Sequence, residues 1–219
     1  MTSFDPSVVV EALPDLMRGT ALTIEITALG LVGGFVLGVA AGIARAGRMR
    51  LAGLIASVYV ALIRGTPLVV QVMFIYFALP LAVGLRIDPM SAAVGAIAIN
   101  AGAYIAEVVR GAIVSIDRGL IEAGLALGVL PRRVLATVVW PIAFRRMLPA
   151  LGNQFIISLK DTSILIVIGV GELTRRGQEI IATNFRAMEI WSAVAIIYLI
   201  LTATLALVLR LVEKRMRIL

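Results

Sequence analysis

Long apolar runs separated by short charged loops constrain this chain more than any other feature. The run from Gly19 to Ala44 carries one charged residue, Glu25, and those from Met90 to Ala106 and from Ile190 to Leu209 carry none. About 20 apolar residues suffice to cross a bilayer as a helix. Hydrophobic residues make up 61% of the 219 positions, where a globular domain has roughly 45–50% even with glycine counted. The expected fold is an all-α membrane protein, one transmembrane domain over residues 1–219 with about five crossings. No sizeable soluble domain fits beside them.

The formal net charge is +7, which by itself would invite nucleic-acid binding. The basic residues are not gathered on a polar domain, however, but sit in short loops between apolar runs, the pattern of cytoplasmic loops in membrane proteins. Nucleic acid is therefore not an expected partner; membrane lipid is. Cysteine and histidine are both absent, which excludes disulfides, thiol nucleophiles, and histidine-based metal sites or proton relays. Near the N-terminus, Asp5, Glu11 and Asp15 outnumber Arg18, the wrong sign for a signal peptide. An uncleaved first helix is expected.

Spans are expected at about 20–44, 51–85, 90–109, 148–171 and 190–209. The second stretch is cut by Arg64-Gly65-Thr66-Pro67, and its first part alone is too short to cross. Arg45, Arg48 and Arg50 must share a side with Arg118, Arg132, Arg133, Arg145 and Arg146. An even number of crossings lies between two such loops, so 51–85 counts as one crossing with a bend. Five spans follow, with the N-terminus outside and the C-terminus inside. The basic tail of Arg210, Lys214, Arg215 and Arg217 falls on the inner side. Gly30, Gly34, Gly38 and Gly42 repeat every four residues and give the first span a smooth face for close helix packing.

Charged groups at membrane depth cost at least ~2.5–3.5 kcal/mol each, so each calls for a reason. Glu25 is either solvated near an interface or part of a site. Glu107 either pairs with Arg110 one turn later or faces a substrate path. The strongest candidate is Ser158-Leu159-Lys160-Asp161-Thr162-Ser163, set between Phe155–Ile157 and Ile164–Val170. Adjacent helical residues point about 100° apart, so Lys160 and Asp161 do not readily neutralise one another, and at least one must face a cavity or another helix. Pro67 lacks a backbone N–H and Gly65 loosens the chain beside it. Freed backbone groups at that depth need a cavity or protein cover. Facing each other, the two segments could cradle a zwitterion.

Between the third and fourth spans, residues about 115–146 form a basic, amphipathic loop containing Glu122-Ala123-Gly124-Leu125-Ala126-Leu127-Gly128 and expected to close at Pro141. A membrane protein builds such a surface where something soluble pushes on it. The chain cannot itself use a phosphate-binding loop, because that needs Gly-Lys-Ser/Thr and Lys160 and Lys214 follow Leu159 and Glu213. Without a nucleophile–base pair it is not expected to be an enzyme.

The chain resembles the permeases of bacterial polar-amino-acid importers of the ATP-binding-cassette type, and most of all their glutamine-uptake branch. The matching segments are Arg64-Gly65-Thr66-Pro67-Leu68-Val69-Val70-Gln71, Asn100-Ala101-Gly102-Ala103-Tyr104-Ile105-Ala106-Glu107, the Glu122–Pro141 loop, Met147-Leu148-Pro149, Lys160-Asp161-Thr162-Ser163 and Gly177-Gln178-Glu179-Ile180-Ile181. This similarity covers nearly the whole chain. It implies a multi-pass protein of the bacterial inner membrane, working as a homodimer or beside a sibling permease on two ATPase subunits. A periplasmic or lipid-anchored amino-acid-binding protein would deliver the cargo. No cofactor is implied for this chain; ATP and Mg²⁺ act on the partner ATPase. The resemblance implies substrate contacts near Thr66, Pro67, Asn100, Glu107, Ser158 and Asp161. It implies ATPase coupling through a short helix carrying Glu122, Ala123 and Gly128, with Pro141 closing the loop. Secondary transport or a channel without ATP is the competing class, but five spans leave no room for an inverted repeat. A membrane scaffold would leave Lys160-Asp161 unexplained.

Overall fold

The computed structural model describes residues 4–47 and 50–216; Arg48 and Arg217 lie outside the described residues. Among these, four helices are long and apolar enough to cross a membrane, and a bent pair raises the number to five. The first helix, α1 (Pro6–Ala46), begins further upstream than the expected span. Asp5 caps it, its side chain accepting from the Ser7 N–H at 3.0 Å, and Pro6 occupies the first turn, where a missing N–H costs nothing.

Its glycine face packs along α5 (Pro89–Val114). A Cβ built on Gly38 would lie 2.6 Å from the Ile105 side chain and 2.8 Å from the Gly102 carbonyl; one on Gly42 would lie 2.6 Å from Val109. Only glycine lets the two backbones approach this closely, so this face serves packing.

α2 (Arg50–Arg64) and the following unit Leu68–Val83 are bent by 107°. That unit comprises α3 (Leu68–Met73), a π-helical turn over Phe74–Ala78 and α4 (Leu79–Val83). Proline supplies no N–H and its ring crowds the carbonyl four residues back, so the break falls at Gly65–Pro67 as expected. The same steric conflict recurs at Pro80 and Pro141, and there a π-turn resolves it. Trp140 N–H bonds Leu135 O across five residues, as Leu79 N–H does to Phe74 O, and each proline follows in the next helical turn.

This corrects the expectation that Pro141 closes the loop. After α6 (Arg118–Ala126), α7 (Pro131–Val134) leads through the π-turn Leu135–Val139 into α8 (Trp140–Asp161) and a 3₁₀ turn over Thr162–Ile168. The apolar unit thus runs Pro131–Ile168 and starts well before position 148. Proline cannot end a helix when the turn before it widens to accept the ring.

α9 (Leu173–Asn184) is capped by the buried Glu172, and α10 (Ala187–Met216) completes the fold. Among the described residues, four cores knit the bundle: one around Ile26, Ile97 and Leu165, one around Ile105, Val109 and Met147, one around Leu16, Leu173 and Ile190, and a smaller one of Val60, Ala103 and Ala106.

Candidate functional site

The break after α2 leaves carbonyls without helical partners, and one buried side chain collects them. Gln71, on α3, donates from Nε2 to Ile63 O at 2.7 Å, to Thr66 O at 3.0 Å and to Thr66 Oγ1 at 3.0 Å. Its Oε1 accepts from Asn100 Nδ2 on α5 at 3.0 Å. Thr66 Oγ1 in turn donates to Leu62 O at 2.9 Å. The bent segment is therefore fixed to α5 rather than loose.

Beside this network lies a cavity of about 330 Å³, lined by Thr66, Pro67, Leu68, Asn100, Tyr104, Gln154, Ile157 and Asp161. Thr66 and Pro67 come from the break, Asn100 and Tyr104 from one face of α5, and Gln154, Ile157 and Asp161 from α8. Four of the residues singled out from sequence, Thr66, Pro67, Asn100 and Asp161, meet here. Asp161 is the carboxylate in the wall, and no ion pair ties it to Lys160 among the described residues. The α-helix gives way to a 3₁₀ turn one residue later, and Thr162 and Ser163 hydroxyls donate back to Leu159 O and Lys160 O.

Two expected members fall elsewhere. Ser158 is buried, accepts from Gln154 Nε2 at 3.3 Å, and is not among the residues that line the cavity. Glu107 is drawn off the cavity by charge. Arg45 and Arg110 both donate to its carboxylate, and Arg64 Nη1 lies 3.8 Å from it. Along α5, Glu107 sits about 10 Å beyond Asn100 at 1.5 Å per residue, so the same helix face reaches the arginines and not the cavity. Arg64 also stacks 5.4 Å over the Tyr104 ring, which joins this cluster to the cavity wall. Glu25 is exposed and lines a separate cavity of about 410 Å³ with Asp88, Met90 and Gly171.

Sequence reasoning missed Gln71, Tyr104 and Gln154. A signal for the last was present: Gln154, Ser158 and Asp161 follow the i, i+4, i+7 spacing of a single helix face. Tyr104 stands one turn after Asn100 in the same way.

The second candidate region is α6. Asp117 caps it, accepting from Gly119 N–H at 2.7 Å. Gly128 follows it at φ +75°, and a Cβ built there would have nothing within 4 Å. Glu122 and Ala123 are exposed on this short helix, as are Leu120, Leu125, Leu127 and Leu130 beside it. Gly124 holds α6 against Val134, to which a Cβ would come within 3.0 Å. Pro141 lies inside the next helix, just after the π-turn.

Residues 34–218 match the model of the family described as binding-protein-dependent transport system inner membrane component. Over 217 residues the chain is 59% identical to the glutamine transport system permease protein GlnP of Escherichia coli (strain K12), covering 99% of each. The arginine transport system permease protein ArtQ of Bacillus subtilis is 33% identical, with 98% of each chain covered. Among solved structures, a chain from the crystal structure of an amino acid ABC transporter with histidines superposes with a TM-score of 0.91 at 35% identity, covering 98% of this chain and 100% of that one.

Proposed function

The chain belongs to the binding-protein-dependent transport system inner membrane components, and from that premise we propose that it is the permease of an ATP-driven importer whose cargo is glutamine. It is a multi-pass inner-membrane subunit of an amino-acid importer and not the ATPase, which is a separate subunit in this family. The observation that carries the finer reading is the cavity at the α2–α3 break, where one carboxylate, two carboxamides and a threonine meet. Asp161 suits the ammonium common to amino acids, by the attraction of a fixed anion for any cation. Asn100, Gln154 and Thr66 offer the hydrogen-bonding groups that a side-chain amide requires.

In this reading the bent pair Arg50–Arg64 and Leu68–Val83 is the second of five spans, with the N-terminus outside and the Arg45 and α6 ends inside. That orientation follows from the arginines around Arg45 and around α6. The exposed face of α6, with Glu122, Ala123 and the leucines around it, seats in the partner ATPase. ATP and Mg²⁺ act there, and a homodimer with two ATPases and a delivering binding protein forms the working assembly. Closure of the ATPases moves α6, and the rigid α7–α8 unit passes the motion to Asp161. No site for ATP is required in this chain.

The test is uptake into proteoliposomes holding the permease, its ATPase and the loaded binding protein. Glutamine should drive ATP-dependent uptake and arginine should compete poorly. Stronger inhibition by arginine than by glutamine would reject the cargo while leaving the importer intact. Uptake undiminished without ATP would reject the importer itself.

A further inference from the structure

The hydrogen bonds behind the cavity wall leave no freedom in how two carboxamides are turned. Gln71 faces two backbone carbonyls, Ile63 O and Thr66 O, at 2.7 Å and 3.0 Å. Carbonyls only accept, so the nitrogen of Gln71 must point at them and its oxygen must point the other way. That oxygen meets Asn100 at 3.0 Å, so Asn100 must present its nitrogen to Gln71. The Asn100 Oδ1 is then the atom left for the cavity that Asn100 lines, and it has no partner among the described residues.

Thr66 is constrained in the same sense. Its hydroxyl hydrogen goes to Leu62 O, so toward the cavity it can only accept. Asp161, when ionised, is acceptor-only as well. Three elements therefore turn acceptors inward, and the group that orients Asn100, the Oε1 of Gln71, lies behind the wall on a side chain 7% exposed.

Resting on the transport reading above, we infer that Gln71 is a positioning residue that locks Asn100 with its oxygen toward the cargo, so that the cavity selects amino acids whose side chain carries a hydrogen-bond donor. A carboxamide meets that wall with its N–H₂. A side chain that offers only acceptors leaves Asn100 Oδ1 desolvated without a partner, and such an unmet group is penalised more than a made bond rewards. Gln71 touches no cargo; removing it frees Asn100 to turn its nitrogen inward.

The γ-methyl ester of L-glutamate separates this from charge, because it is neutral, close in shape to glutamine, and has no side-chain donor. The experiment is displacement of radiolabelled L-glutamine from the purified permease–ATPase complex, without the binding protein. In the wild-type complex the ester should displace at least about tenfold less effectively than glutamine, the effect of one buried acceptor left unpaired. In Gln71→Met, which nearly conserves volume, that gap should shrink to about threefold or less while the α-amino group is still required. A wild-type complex that takes ester and glutamine equally overturns the inference without recourse to any variant. A Gln71→Met complex that keeps the full gap overturns the role of Gln71. Should that variant fail to co-purify with the ATPase, Gln71→Leu and the wild-type ester ratio decide. A wild-type complex that binds no glutamine rejects the transport reading itself, a result distinct from all of these.

Discussion

Asp161 sits in the cavity wall beside Lys160, with which it forms no ion pair among the described residues, and this sets its expected phenotype. Asp161→Asn keeps the size and removes the charge, so uptake should fall about tenfold or more, the loss of one charge-assisted contact, with the ATPase still co-purifying. If the pair Lys160→Met with Asp161→Leu restores uptake, Asp161 only offsets Lys160 and the site assignment fails. Glu172 behaves differently. It is fully buried at the N-terminus of α9, accepting from the Thr174 and Arg175 N–H groups and from Tyr198 Oη. Burial raises its carboxyl above the usual carboxylate range, outweighing the hydrogen bonds that lower it. The folded protein thus holds this proton more tightly than the unfolded chain. The stabilisation is present below the ordinary carboxylate pKa and is lost as pH rises through the raised one. Thermal unfolding of Glu172→Gln, compared with wild type across that range, should show wild type losing stability relative to the variant as pH increases. The opposite slope would mean that the hydrogen bonds win.

α6 stands out as an amphipathic helix whose outer face nothing within the described chain covers, while its ends are firmly specified. Asp117 begins it and Gly128 turns the chain after it at φ +75°. A Cβ there meets no neighbour, so Gly128→Val carries only the left-handed backbone penalty of about 1–2 kcal/mol. The protein should still insert and fold, while transport and the ATPase stimulation by loaded binding protein are lost in the reconstituted complex. Normal uptake by this variant would remove α6 as the coupling element. The π-turns before Pro80 and Pro141 make the complementary point. They keep the Leu68–Val83 and Pro131–Ile168 units continuous, and the proposed coupling would use the second of these to carry motion from α6 toward the cavity. The expectation of a loop reaching position 146 failed here because a proline reads as a helix end unless the widened turn before it is known.

At the scale of the molecule the number and direction of crossings can be tested directly, since the chain has no cysteine of its own. A single cysteine at Asp88 should react with an impermeant thiol reagent added to intact cells, and one at Arg132 should not. Labelling at position 132 from outside would sink the five-span orientation. The 107° bend between Arg50–Arg64 and Leu68–Val83 makes this more than a formality. Were the pair re-entrant, the number of crossings before α5 would change and the Asp88 cysteine would be the one shielded.

Hydrophobic runs, the glycine spacing of α1 and the Gly65–Pro67 break are properties of consecutive residues, and each was legible in the chain because bilayer thickness, helical period and proline sterics act locally. The meeting of Thr66, Pro67, Asn100 and Asp161 was foreshadowed by polarity at depth, with the family resemblance naming the positions. What the tertiary structure alone decided was which polar group faces the cavity. Glu107 and Asp161 are both acidic residues set among apolar neighbours, yet Glu107 is claimed by Arg45, distant in the chain, and Asp161 is left to the cavity wall. Gln71 likewise was one residue in an apolar helix until its four partners on three segments were seen. Such choices depend on the rotation and register of helices against one another, set by close packing between segments that the order of residues does not place side by side.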